Sequence, residues 1–96
     1  MKIEELRDGI RRVDIVAKVI EKSDPREVHS RSGDTTYNIS DTVISDETGT
    51  IKLTLWNEQI DRVNVNDTIK IENGYVTSFR GEIQLNVGRY GKLSVI

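Results

Sequence analysis

Apolar residues near the start of the chain are spaced for a helix, and soon afterwards for strands. Ile3, Leu6 and Ile10 lie three and four apart, and Gly9 suits a helix stop. This predicts one or two helical turns over residues 3–8, placed to plug the end of a core. Val13, Ile15, Ala17 and Val19 then alternate with Asp14, Val16, Lys18 and Ile20, which predicts a first strand. Ser23-Asp24-Pro25 opens a polar stretch to Thr35 that contains Arg26, Arg31 and Ser32-Gly33-Asp34. That stretch reads as a long loop or a frayed hairpin tip. A second strand is predicted over residues 37–45, with imperfect alternation because Asp41 falls between Ile39 and Val43. Asp46-Glu47-Thr48-Gly49 makes a tight turn, with Gly49 free to take the positive φ that short hairpins need.

The third strand, residues 50–56, alternates cleanly: Ile51, Leu53 and Leu55 face one side, and Lys52, Thr54 and Trp56 the other. Residues 57–63 fit a short helix with Asn57 as its N-cap. Ile69 and Ile71 point a fourth strand inward until Asn73-Gly74 interrupts it, the mark of a bulge. Such a bulge shifts the phase, turning Val76 to the core and Tyr75, Thr77 and Phe79 outward. Without it, Tyr75 and Phe79 continue the Ile69/Ile71 face and fill the core. After an Arg80-Gly81 turn, Ile83, Leu85 and Val87 alternate with Glu82, Gln84 and Asn86 in a fifth strand, and residues 88–96 are left for a short closing strand. Five short strands expose vulnerable edges unless they close up. An all-β chain with one helix between its third and fourth strands, after an N-terminal helical turn, points to the five-stranded Greek-key barrel known as the OB-fold.

At 96 residues the chain is read as one domain, residues 1–96, with a modest core. It has no cysteine and a single histidine, His29, which excludes thiol chemistry, the usual zinc sites and a His-based triad. Asp46 and Glu47 are two adjacent acids in a turn, not a ligand set. No metal, cofactor or catalytic activity is expected. No apolar run approaches the roughly 20 residues of a bilayer span, and the first ten residues lack a signal-peptide core. The expected location is therefore the cytoplasm. The net charge of −2 is unevenly spread: residues 11–31 carry six Lys/Arg against four acids, whereas residues 34–74 carry three against eight.

That charge makes the aromatic residues decisive. Of Tyr37, Trp56, Tyr75, Phe79 and Tyr90, the phase of the strands turns Trp56 outward, and the bulge turns Tyr75 and Phe79 outward as well. Trp56 at a strand end has a second option, folding over the barrel mouth as a plug. An aromatic surface over an aliphatic core suits a ligand with flat faces, and each base stacked on an aromatic ring contributes roughly 1–3 kcal/mol. Lys52 and Arg80 stand beside these rings, and Arg26 and Arg31 lie in the first loop, all within reach of phosphates. Gln84 faces the same side of the fifth strand. The expected path crosses the outer face of the second and third strands, bounded by the first and the fourth-to-fifth loops.

The run Ser45-Asp46-Glu47-Thr48-Gly49-Thr50-Ile51-Lys52-Leu53-Thr54-Leu55-Trp56 resembles the archaeal single-stranded DNA-binding proteins and the OB domains of archaeal replication protein A. The likeness continues through residues 67–75 and through Phe79-Arg80-Gly81-Glu82-Ile83-Gln84-Leu85-Asn86. It implies that Trp56, Tyr75 and Phe79 stack on DNA bases, and it favours the platform reading over the core reading. Tyr75 departs from the Trp common among close relatives, which implies a smaller stacking area. The resemblance also implies a role in replication, repair or recombination, association with the nucleoid, and contact with other replication or repair proteins. Ending at Ile96, without the family's polar tail, the chain reads as a tailless protein or as one domain of a multi-OB protein. Two other uses fit an OB-fold of this kind: a domain that grips RNA or tRNA, and a protein-interaction module favoured by the acidic middle segment.

Overall fold

The computed structural model describes the backbone of residues 1–96 and every side chain except that of Arg89. Its elements are a 3-10 turn (Ile3–Glu5), β1 (Arg11–Lys22), β2 (Arg26–His29), β3 (Thr36–Asp46), β4 (Gly49–Trp56), α1 (Glu58–Arg62), β5 (Thr68–Phe79) and β6 (Glu82–Val95). The strands are ordered β1-β5-β6-β4-β3-β2, and β1 also pairs with β3. That last pairing closes β1, β3, β4, β5 and β6 into a barrel, and β2 extends β3 as a short ribbon. β4 and β6 run parallel, and the other pairs are antiparallel. This is the OB-fold topology, with α1 between the third and fourth barrel strands.

The period-two pattern explains the core. Val13, Ile15, Ala17 and Val19 of β1 meet Ile51, Leu53 and Leu55 of β4, Ile69 and Ile71 of β5, and Leu85 of β6. Each large aliphatic side chain fully buried in this way contributes about 1.5–3 kcal/mol. Ile60 and Val63 close the core beside α1, and Ile3 and Leu6 close it at the N-terminal turn. All the buried hydrophobic side chains among the described residues are aliphatic.

The structure departs from the sequence expectations in several places. The N-terminal turn stops at Glu5, short of residue 8, because the chain is drawn into the barrel: the Gly9 amide donates to the Val76 carbonyl (3.0 Å) and the Val76 amide to Ile10 (2.9 Å). Of the two forms open to the polar stretch after Pro25, the structure takes the hairpin rather than the long loop, with β2 paired to β3 from Arg26↔Ile39 to His29↔Thr36. On β3 the buried side chains are Ile39, Ser40, Thr42 and Ile44. Ile44, paired with Ile51 inside the barrel, fixes the inward phase and carries Ser40 and Thr42 inward with it. Ser40 Oγ donates to the Ser23 carbonyl (2.8 Å), whereas Thr42 Oγ1 has no hydrogen-bond partner. Asn57 precedes α1 but does not cap it: its Oδ1 accepts from the Asn38 amide (3.1 Å), across to β3.

The bulge in β5 is present. Asn73 takes a φ of 55°, the β5–β6 register shifts between Glu72 and Gly74, and the inward positions change from Ile69 and Ile71 to Gly74 and Val76. The expected fifth and closing strands form one continuous β6. Val87 pairs with Gly74 and Lys92 with Glu72, so residues 88–91 leave the ladder opposite Asn73.

Candidate nucleic-acid interface

Lys52, Thr54 and Trp56 take the outward positions of β4. The parallel register sets Lys52 beside Gln84 and Thr54 beside Asn86 on β6. Across β6, Gln84 pairs with Thr77, Asn86 with Tyr75, and Glu82 with Phe79. On the other side of β4, Ile39 pairs with Trp56 and Asp41 with Thr54. These rows form one open groove of about 560 Å³, lined by Arg26, Ile39, Asp41, Lys52, Thr54, Trp56, Phe79, Gln84 and Asn86. The groove thus runs over β3 and β4 and on across β6 to the end of β5.

Five predicted site residues meet in this groove: Trp56, Phe79, Lys52, Gln84 and Arg26. Phe79 is 61% exposed and Trp56 39%, so the barrel leaves much of both rings open. Trp56 is held rather than loose. Its backbone amide donates to Gln59 Oε1 (3.1 Å), and its ring meets Tyr37 edge-on, with centroids 5.9 Å apart. Arg80 follows Phe79 in the β5–β6 turn and lays its guanidinium 5.2 Å from the Phe79 ring centroid, a cation–π contact. With φ values of 53° at Arg80 and 80° at Gly81, this turn has both central residues left-handed, the geometry that matches strand twist.

Tyr75 lies next to the groove rather than in it. It is outward and half-exposed, and its ring lies over Gly88: a Cβ there would stand 2.9 Å from Tyr75 Cε1. Tyr75 lines a second cleft with Arg11, Arg12, Asn73, Gly74, Gly88 and Tyr90. Arg31 is not brought to the groove. It sits in the turn beyond β2, where Ser30 and Thr35 close the hairpin (2.8 Å), five positions past Arg26. Extended chain of that length spans roughly 17 Å.

The groove's cations are partly balanced from within. Arg26 pairs with Asp41 (2.7 Å), and Lys52 approaches Glu82 (3.9 Å). Asn86 Nδ2 donates to Thr77 Oγ1 (3.0 Å), which ties β6 to β5 at the groove floor. Sequence reasoning missed Tyr37, Ile39, Asn86 and Gly88 as parts of this surface. The signal for Gly88 was present, since a glycine inside a strand pattern marks a close approach of another group. Tyr37 and Ile39 share the parity of Asp41, so one outward residue on that strand marked all three.

Among the described residues no group of His, Asp and Glu could hold a metal ion, and no helix is long and apolar enough to cross a membrane. The family model for the single-stranded DNA binding protein Ssb-like OB fold matches residues 6–95. The chain is 34% identical over 93 residues to the single-stranded DNA binding protein Ssb of Saccharolobus solfataricus, covering 97% of this chain and 62% of that protein. It is 33% identical over 89 residues to replication factor A of Methanothermobacter thermautotrophicus, covering 92% of this chain and 11% of that protein. The chain therefore spans under two-thirds of either relative. Among solved structures, the second OB-fold domain of replication protein A from Methanococcus maripaludis superposes with a TM-score of 0.81 at 28% identity, covering 100% of this chain and 93% of that one. With the barrel topology and the match over nearly its whole length, the chain belongs to the Ssb-like OB-fold family of single-stranded DNA binding proteins.

Proposed function

We propose that residues 1–96 act as one nucleic-acid-binding domain that holds a short stretch of single-stranded DNA, with little regard to sequence, in the groove across β3, β4, β6 and β5. The observation that carries this reading is the separation of an aliphatic core from outward aromatic rings. Trp56 and Phe79 face one groove and Tyr75 adjoins it, where any nucleobase can stack. Lys52, Arg26 and Arg80 flank the rings and would meet phosphates. Gln84, between Lys52 and Thr77, offers an amide to a base edge or a sugar. One OB domain of this size takes about 4–6 nucleotides, the low end for such folds. Duplex DNA hides its base faces in the stack and offers the rings nothing to hold.

The role suggested by the relatives is the protection or handling of single strands during replication, repair or recombination, alone or as one unit of a multi-OB assembly with other replication or repair proteins. No step in that role needs catalysis by this chain.

Trp56 is the only tryptophan and so reports directly on the groove. Titration with a dT oligomer is expected to quench its fluorescence, and a duplex of equal length is expected to leave it unchanged. Trp56→Ala or Phe79→Ala, followed by anisotropy of a labelled oligomer, should weaken binding about tenfold to a hundredfold, the equivalent of one lost stack. Phe79 is largely exposed, so its loss should barely move the melting temperature, and Trp56→Ala, which also gives up the Tyr37 contact, should lower it modestly. Fluorescence unmoved by any oligonucleotide, in protein shown to be folded, would remove this reading in favour of a protein-interaction module. Preference for a matched RNA oligomer would redirect it to RNA.

A further inference from the structure

We infer that the cleft beside the groove is a second nucleotide subsite, one that takes the single strand as it continues past Tyr75, with Arg11 and Arg12 on its phosphates and Tyr90 beneath a base. This rests on the groove reading above and extends it to residues that the sequence pattern did not single out.

The cleft exists because three neighbouring strands lose register at the same level. β1 slips on either side of Val13, with Arg12 at a φ of 56°. β5 slips at Asn73, with a φ of 55°, and β6 departs altogether over residues 88–91. Left-handed backbone is uncommon outside glycine and asparagine, so the strain falls on Arg12. The breaks keep Val13, Gly74 and Val76 inward, and they leave the side chains of Arg12, Asn73 and Tyr90 exposed around the cleft.

The resulting shape is nonetheless held firmly. The Asn73 amide donates to Asp14 Oδ1 (2.9 Å), and Asn73 Nδ2 donates to the Tyr90 carbonyl (3.4 Å). Gly91 leaves little room for a side chain, since a Cβ would crowd the carbonyls of Glu72 and Asn73 at 3.1 Å. Gly88, at the other end of the bulge, leaves its space to the Tyr75 ring. The cleft encloses about 510 Å³, within the range of small-ligand pockets (about 300–1,000 Å³).

Its chemistry suits a nucleotide. Tyr75 and Tyr90 supply rings, with Tyr90 83% exposed. Arg11 and Arg12 supply two cations with no ion-pair partner among the described residues. Asp14, the acid of this region, has one carboxylate oxygen engaged by the Asn73 amide. The cleft also adjoins the groove, because Tyr75 of the cleft pairs with Asn86, which lines the groove. A strand stacked on Trp56 and Phe79 and leaving over Tyr75 runs directly into it.

The test compares a dT oligomer of about 5 nucleotides, enough for the groove, with one of about 10, long enough to enter the cleft. The variants are Arg11→Gln with Arg12→Asn, asparagine being tolerant of left-handed backbone, and separately the exposed Tyr90→Ala. Melting curves confirm the fold. The paired arginine variant should bind the short oligomer like the wild type and bind the long one several-fold more weakly. Its salt slope on the long oligomer should fall by roughly 1.4, about 0.7 for each phosphate that an arginine no longer neutralises. Tyr90→Ala should weaken only the long oligomer and leave the slope in place. Unchanged long-oligomer affinity and slope in the arginine variant, or equal losses on both oligomers, would overturn the second subsite while leaving the groove intact. A wild-type protein that binds neither oligomer would instead bring down the groove reading itself, and the subsite with it.

Discussion

Along β6, residues 82–87 keep their ladder with β5 and floor the groove, whereas residues 88–91 leave it and bring Gly88 and Tyr90 to the cleft. The two regions share a strand and are built in opposite ways. In the groove the ladder of β4 and β6 is regular, so strand alternation aims Trp56, Lys52 and Gln84 to one side, and Phe79 joins them through the phase shift at Asn73. Its cations at Arg26 and Lys52 face the carboxylates of Asp41 and Glu82. In the cleft the backbone is irregular and strained, and Arg11 and Arg12 have no ion-pair partner among the described residues. A regular sheet gives fixed platforms for flat bases. A broken one gives open, cationic space for a backbone. The proposed division of labour is stacking in the groove and charge in the cleft, and it answers how a chain of net charge −2 could bind a polyanion.

The hinge of the comparison is Tyr75, whose ring belongs to the cleft and whose strand position belongs to the groove. Gly88 makes its seat. Gly88→Val should push the ring off β6, because even a Cβ would stand 2.9 Å from it. Gly88 is not left-handed, so the displaced ring, rather than backbone strain, carries the effect. Affinity for the long oligomer should fall by roughly tenfold or more, about one stack, with the salt slope preserved. Anisotropy titrations at several salt concentrations measure both quantities, and the chemical shifts of the Tyr75 ring report its movement. A displaced ring with unchanged affinity would show that Tyr75 is a spacer and not a platform.

The contrast between regions also explains what the sequence could reveal. The groove was largely legible, because period two in residues 50–56 and 83–87 states which side chains share a face, and no long-range knowledge is needed. Asn73-Gly74 announced the phase shift that turns Tyr75 and Phe79 outward. β3 misled, since Ser40 and Thr42 are polar yet face the core, while Ile39 lines the groove beside Trp56; its phase is set by Ile44 pairing with Ile51. The ion pair of Arg26 with Asp41 spans 15 positions and depends on the β2–β3 register, which no local pattern states. The cleft was invisible for the same reason. Three irregularities at Arg12, Asn73 and residues 88–91 become one site only once β1, β5 and β6 are neighbours. Arg31 looked like a partner of Arg26 in a single loop, and the hairpin carries it away.

The internal ion pairs offer a smaller and more selective probe. Asp41→Asn and Glu82→Gln would release Arg26 and Lys52 while keeping the size of both side chains. If the two acids compete with phosphate for the groove cations, the double variant should bind the short oligomer a few-fold more tightly and with a steeper salt slope. Stability should hardly change, because ion pairs this exposed contribute about 0.2–1 kcal/mol at most. Filter binding or anisotropy across a salt series checks the affinity, and thermal melting the stability. Weaker binding would mean that the pairs aim Arg26 and Lys52 at the strand rather than restrain them.

The smallest expected effect separates the barrel from both surfaces. Asp46, in the turn between β3 and β4, ties the N-terminal plug to the barrel: Oδ2 accepts from the Ile3 amide (2.8 Å) and Oδ1 from the Thr48 amide (2.7 Å). Burial pushes its carboxyl up, but the hydrogen bonds from the Thr48 hydroxyl and the amides of Ile3, Thr48 and Gly49 together hold it below its ordinary value of 3.8. A carboxyl depressed in the folded state stabilises the fold above its unfolded value and loses that contribution as pH falls through the folded one. The melting temperature should therefore be insensitive to Asp46 protonation near neutrality and should drop by a few degrees below about pH 4. Asp46→Asn should lower the melting temperature at neutral pH and flatten that acid limb, as measured by circular dichroism from pH 7 downward. Because the plug lines neither groove nor cleft, the variant should bind short and long oligomers in the same ratio as the wild type. A changed ratio at neutral pH would mean that the two surfaces are coupled through the barrel and are not the independent regions their construction suggests.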